Sequence, residues 1–166
     1  SEDLKEGNTS FKMNPPLRAA SDKEALIRAL IDGKIDFIAT DHAPHEPAVK
    51  TTDFVKSAFG TTGLEASLRV LFGFWARGTL TPERLVEVFS TRPAEFYGVS
   101  DEFGSVKVGK PLRAILVDPE STPRILRETE IESLSKNSIF LGTKLHGRIL
   151  AHFNSAGLFR FEPLEK

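Results

Sequence analysis

Apolar positions in this chain follow helical spacing in three stretches and gather into short strand-like runs elsewhere. Residues 10–18, SFKMNPPLR, read as a strand-like piece that Pro15 and Pro16 end, because proline brings no amide hydrogen to a helix or a ladder. In SDKEALIRALIDG, Ser21 is placed as N-cap, Glu24 as its capping-box partner, Ala25, Leu26, Ala29 and Leu30 as one apolar stripe, and Gly33 as C-cap. KIDFIATD, 34–41, then reads as a strand with Ile35, Phe37 and Ile38 apolar. Strand, helix, strand puts both strand ends on one side of a parallel sheet, so Lys12 to Asn14 are expected near Asp41 to His45. Ligand sites of α/β sheets and barrels gather at that carboxyl edge.

Residues 46–60 form a long loop, suited to a lid or a substrate wall. Leu64, Leu68, Leu71 and Trp75 resume helical spacing up to Gly78, and Thr81 with Pro82 marks the start of PERLVEVFSTRPAEFYG. After Gly98 the character changes. GSVKVGKPLRAILVDPE, SIFLGTKLHGRILAHF and LFRFEP are short β-like runs punctuated by glycine and proline, which predicts a β-rich portion from residue 99 onward. No internal repeat or low-complexity tract interrupts this order.

Composition changes the picture mainly by exclusion. With 166 residues, 40% hydrophobic and 27% charged, the chain has the balance of a soluble globular protein and no apolar run of membrane-spanning length. Its 22 basic and 23 acidic side chains leave a formal charge of -1, which offers nucleic acid no basic field. The absence of cysteine removes disulfides and thiolate metal sites and fits a cytoplasmic protein or a thermophilic one. Ser1 stands where an initiator methionine is usual, which suggests that something upstream has been removed.

Candidate chemistry concentrates in IATDHAPHEP, 38–47. Asp41, at a strand end, is a hard oxygen ligand and a possible proton carrier, whereas residue type alone favours a turn cap through an Asx-type bond. His42 and His45 can ligate zinc or meet a carboxylate, yet Pro44 lies between them and no helical H-E-x-x-H pair is formed, so they also read as plain loop histidines. Asn14 can donate and accept at once, which suits a ureido group, or it caps the Pro-Pro turn. Arg18 suits a carboxylate or a solvated surface. Gly60 and Gly63 flank a helix start, where free amides can meet an oxygen. His146 and His152 lack partners in the pattern and read as structural or surface residues.

FKMNPPLR, IDFIATDHAPH and FGTTGLE, in that order and spacing, resemble the C-terminal half of the bacterial, type I dihydroorotases of the amidohydrolase superfamily. ERLVEVFSTRPAEFYG and GSVKVGKPLRAILVDP are similar to that family's last helix and its return to a small β-domain. The resemblance implies an α/β fold: the C-terminal part of a TIM-like (β/α)8 barrel over residues 1–98, and a small β-rich, composite β-sandwich domain over 99–166. It also implies one or two zinc ions, with Asp41 both metal ligand and proton carrier. His45 would hold the substrate carboxylate, Asn14 would contact substrate, and backbone at Ala43, Phe59 and Gly60 would line the pocket. His42 and Glu46 receive no role. The activity implied is reversible cyclisation of N-carbamoyl-L-aspartate to dihydroorotate in pyrimidine biosynthesis.

The departures from the family pattern are large. The H-x-H pair of the first strand, the bridging carboxylated lysine or aspartate, and the histidines of the fifth and sixth strands have no counterpart here. Ala58 stands where the family usually has proline, and PLRAILVDP replaces a more acidic pattern. The chain is therefore expected to be an incomplete half, inactive alone, whose partner is the missing N-terminal half or a second copy. The alternative is a non-catalytic dihydroorotase-like partner of aspartate transcarbamoylase, and a third reading is a hydantoinase or allantoinase.

Overall fold

The computed structural model describes residues 8–160. The first predicted strand is instead a 3-10 turn, Thr9–Phe11, held by the Asn8 side chain, which accepts from the Ser10 amide; extended chain follows through a cis Asn14–Pro15 bond. Helix α1, Ala20–Ile31, starts one residue before the expected Ser21, with Ala19 as N-cap and no side-chain cap bond. Alanine has the highest helix propensity, so Ala20 joins the helix and Ser21 falls inside its first turn. At the other end Lys34 N–H bonds Ala29 O at 2.9 Å and Gly33 N–H bonds Leu30 O at 3.4 Å, the pair that closes a helix on a left-handed residue. Of the expected apolar stripe, Leu30 is buried while Leu26 is 61% exposed.

The second predicted strand, 34–41, is extended but unladdered. A strand exists through hydrogen bonds to a neighbour, and among the described residues no strand pairs with 34–40. Its Ile38 N–H bonds Val88 O at 3.0 Å instead, and an isolated parallel bridge forms only at His42, opposite Thr61.

Helix α2, Leu64–Ala76, and the pair α3, Pro82–Val86, and α4, Arg92–Phe96, carry the core. Leu68, Leu71 and Phe72 meet Leu80, Leu85 and Val88, with Leu30 beside them and Ile35 and Ile38 packed on the edge. Side chains of this size each contribute about 1.5–3 kcal/mol when fully buried. Leu64, expected on the packed face, is 60% exposed, and Phe72 takes its place in the core. Thr81 caps α3 as expected, its hydroxyl accepting from Arg84 N–H at 3.2 Å. Between α3 and α4 the chain widens into a π-helical turn, Glu87–Thr91, in which Arg92 N–H reaches back to Glu87 O. Pro93 has no N–H and its ring would strike the carbonyl of Phe89 in a regular helix, so a wider turn there relieves the clash.

Beyond Gly98 the expected β-like runs form strands. β1, Ala114–Asp118, pairs antiparallel with β4, Arg148–Asn154, and β4 pairs antiparallel with β5, Gly157–Arg160. β2, Arg124–Ile125, and β3, Lys144–Leu145, make a separate short ribbon. Of LFRFEP, residues 161–163 lie outside the described residues. Arg69 ties α2 to the ribbon, donating to Arg124 O at 3.2 Å and to Leu145 O at 3.5 Å. A second buried cluster, Ala66, Leu126 and Leu145, lies at that junction.

Candidate functional site

Gly60 is where the expected site segments meet. Its N–H donates to Lys12 O at 2.8 Å, and a Cβ placed on it would stand 2.7 Å from the Ala43 Cβ and 3.7 Å from His45 Nε2. Its φ of +104° suits glycine, so close approach and backbone conformation both require that residue. The ends of the two extended runs are thus joined through residues 58–61 rather than by a ladder of their own. Lys12 faces this intervening segment from one side, and Ala43 bonds Thr61 O at 2.9 Å from the other.

Two lysines hold the loop before Gly60. Buried Lys12 donates through Nζ to Val55 O at 2.8 Å and Ser57 O at 2.7 Å, and its ammonium lies 4.3 Å from the Phe59 ring centre. Lys50 donates to Ala58 O at 2.9 Å and Gly60 O at 2.8 Å. Burial pushes the Lys50 ammonium below its ordinary pKa, and the positive charge of Lys12 adds to the effect. The loop of 46–60 is therefore tied down by both lysines, and it is also bonded internally by Ser57 to Asp53 and Ala58 to Val49, each at 2.9 Å.

Within the decapeptide the two histidines divide. His45 Nε2 lies 2.6 Å from Phe59 O, so that nitrogen carries the proton and donates. His42 faces the other way: its Nδ1 accepts from Gly63 N–H at 3.1 Å and Leu64 N–H at 3.3 Å, while Nε2 meets Ser133 Oγ at 3.1 Å. His42 is thus a cap for α2. Ser133 in turn donates to Glu65 Oε1 from its hydroxyl at 2.9 Å and its amide at 3.0 Å. Burial alone would raise the Glu65 pKa, but the Ser133 bonds, its own amide and nearby His42 outweigh this and hold it below the usual 4.5.

Asp41 stands two residues before Ala43 in a left-handed conformation, φ +44°, with an exposed side chain. Asn14 is likewise exposed, two residues beyond Lys12. Neither side chain makes a hydrogen bond among the described residues, which leaves both polar groups to solvent or ligand. Asp41 offers one hard oxygen donor. No group of three or more His, Cys, Asp or Glu able to hold a metal ion occurs among the described residues. Zinc takes three or four protein ligands, so these residues do not by themselves form a zinc centre.

Two residues that contact this edge carried no signal in the sequence pattern. Asn137 receives the His45 N–H on Oδ1 at 3.0 Å and donates Nδ2 to Ala43 O at 2.9 Å, across 92 and 94 positions. Ser133 reaches His42 across 91. Both lie in SLSKNS, a polar stretch that reads as a spacer between β-like runs. Arg18, His146 and His152 make no contact with the edge; the His152 ring lies 6.4 Å from that of Phe159.

The amidohydrolase family profile matches residues 4–150. Dihydroorotase from Lactiplantibacillus plantarum is 41% identical over 150 residues, covering 90% of this chain and 34% of that protein. Dihydroorotase from Citrifermentans bemidjiense is 43% identical over 140 residues, covering 84% of this chain and 32% of its own. Among solved structures, the L-hydantoinase (dihydropyrimidinase) from Arthrobacter aurescens superposes with a TM-score of 0.84 at 28% identity, over 93% of this chain and 36% of that one. A D-hydantoinase gives the same TM-score of 0.84 at 24% identity, over 93% and 34%. The chain thus spans about a third of the length of the relatives it matches.

Proposed function

This chain belongs to the amidohydrolase family, and from that premise we propose that it forms one wall of a dihydroorotase active site, acting in pyrimidine biosynthesis in the cytoplasm. The fold proposed is the C-terminal part of a (β/α)8 barrel over 1–98 with a small β-rich domain over 99–166. The reaction is hydrolysis of the dihydroorotate ring amide and its reverse, the cyclisation of N-carbamoyl-L-aspartate.

In this reading the Asp41 carboxylate takes a proton from the water that attacks the ring carbonyl and returns it to the leaving nitrogen. The imidazolium form of His45 donates Nδ1–H to the substrate carboxylate while Nε2–H stays on Phe59 O. The Asn14 amide pairs with the ureido group, and backbone at Ala43, Phe59 and Gly60 closes the pocket. Asp41 is also this chain's one proposed zinc ligand. Further ligands for one or two zinc ions would come from outside the described residues, in the missing N-terminal half or a second copy, and no step here is routed through the metal. Without them the chain alone is proposed to be inactive.

The observation that supports the reading is the meeting at Gly60 of Lys12, Ala43 and His45, which stand two residues from Asn14 and two to four from Asp41 in the chain. Identity of 41% to a dihydroorotase supports this substrate. The L-hydantoinase likeness favours a second reading, hydrolysis of another cyclic ureide. Kinetics on the intact protein separate these: turnover of dihydroorotate, lowered about 10²–10⁴-fold by Asp41→Asn, supports the first. Turnover of hydantoin or dihydrouracil alone supports the second. Retained activity in the variant removes Asp41 as proton carrier. Stability of the variant should stay within about 0.5 kcal/mol of wild type, since the exposed carboxylate has no partner to lose.

A further inference from the structure

The edge segment 43–45 has a neighbour on each side, backbone on one and a side chain on the other. Residues 59–61 flank it through Ala43 N–H to Thr61 O at 2.9 Å and His45 Nε2 to Phe59 O at 2.6 Å. On the other side stands a side chain. The Asn137 carboxamide accepts from His45 N–H at 3.0 Å and donates to Ala43 O at 2.9 Å, so one planar amide serves the donor of residue 45 and the acceptor of residue 43 as an adjacent strand would. The main chain of Asn137 holds the opposite wall: its carbonyl takes the Thr61 hydroxyl at 3.0 Å and the Thr62 N–H at 3.2 Å. Ile139 N–H returns to Thr61 Oγ1 at 3.0 Å. A single residue from the C-terminal third therefore ties together both backbone runs that carry the proposed pocket.

We infer that Asn137 is a positioning residue for His45, fixing the backbone from which the imidazole meets the substrate carboxylate. The inference rests on the function proposed above. Phe59 O anchors the ring at one nitrogen, but the ring can hold that bond and present Nδ1 reproducibly only if the His45 main chain is also held. Asn137 supplies that second anchor. Loss of the amide would release the Ala43 to His45 backbone on one side while leaving the ring, the Gly60 approach and the Asp41 carboxylate chemically intact. The defect expected is therefore in substrate capture rather than in proton transfer.

The test uses the intact protein with Asn137→Ala, Asn137→Asp and, as a control on an exposed side chain of the same segment, Leu134→Ser. Asn137→Asp keeps the acceptor for His45 N–H but turns a second oxygen toward Ala43 O. It covers the case in which the alanine variant fails to fold. Both Asn137 variants are expected to raise KM for N-carbamoyl-L-aspartate about tenfold, with kcat within about twofold of wild type, and to speed hydrogen exchange of the His45 amide at least tenfold. Leu134→Ser should match wild type in all three. A folded Asn137 variant with a lower melting temperature but unchanged KM overturns the inference, as does an equal change in Leu134→Ser. If the wild-type protein does not turn over this substrate, the proposed function falls alone. His45 amide exchange then decides the Asn137 role: acceleration supports the anchor and wild-type protection overturns it.

Discussion

The ring of His42 does for α2 what a capping serine usually does: its Nδ1 accepts the Gly63 N–H at 3.1 Å and, at 3.3 Å, that of Leu64. The helix has no side-chain cap from its own N-cap residue, so an imidazole 21 positions earlier satisfies two of its free amides. Because the same ring meets Ser133, the decapeptide, α2 and the C-terminal segment share one joint.

His42→Ala should cost about 1–2 kcal/mol in urea unfolding, the usual range for a lost cap with some addition for Ser133. His42→Asn, with an acceptor on a shorter side chain, should recover part of it. Equal stability of wild type and the alanine variant would show that water replaces the ring without cost.

Glu65 gives the joint a pH dependence. Its pKa is held below the usual 4.5, so the folded state binds fewer protons there than the unfolded state. That contribution to stability is complete above the unfolded value and is lost as pH falls through the folded one. Unfolding free energy should drop below about pH 4.5, and Glu65→Gln, which keeps an acceptor for Ser133 but does not titrate, should flatten that part of the curve. An unchanged slope in the variant would assign the acid sensitivity to other carboxylates.

Gly60→Ala should be more damaging than its size suggests. The added methyl would lie 2.7 Å from the Ala43 Cβ at a φ of +104°. Strain there of at least about 1–2 kcal/mol is expected. Relief requires the Lys12 and Ala43 segments to separate, so hydrogen exchange at the Gly60 and Ala43 amides should quicken together. Exchange at one site without the other would mean that the two segments are not mechanically joined there.

Arg84 fastens the run that ends in Asp41. From α3 it donates to Leu30 O at 2.8 Å and Ile35 O at 2.5 Å, and Nη1 bonds Glu87 Oε2 at 2.7 Å. Arg84→Ala takes the guanidinium from two part-buried carbonyls, of which Leu30 O keeps the Gly33 N–H, and should cost about 1–3 kcal/mol. Arg84→Lys, with a point charge in place of a planar fork, should rescue less than half. A thermal melt of the three forms checks both statements.

Local chemistry made much of the helical framework legible. Thr81 and Pro82 start α3, Gly33 and Gly98 follow the ends of α1 and α4, and Leu68, Leu71 and Trp75 pack as their spacing predicts. These features depend on residues within one or two turns of each other, which a sequence displays directly. The expectation of strands at 10–18 and 34–41 did not hold as ladders, because strand identity depends on a neighbour and not on the run itself. The candidate edge followed the same division. Asp41, His45 and Gly60 stood out by residue type and pattern, whereas Asn137 and Ser133 did not. Their partners in 42–45 lie more than 90 positions away, and a polar side chain in a spacer looks the same whether it faces water or clamps a backbone. By itself, then, the sequence determined which local segments fold and which groups carry chemistry. Only the tertiary structure decided that one imidazole caps a helix while its neighbour is anchored by a distant amide, since hydrogen bonds are made by position in space.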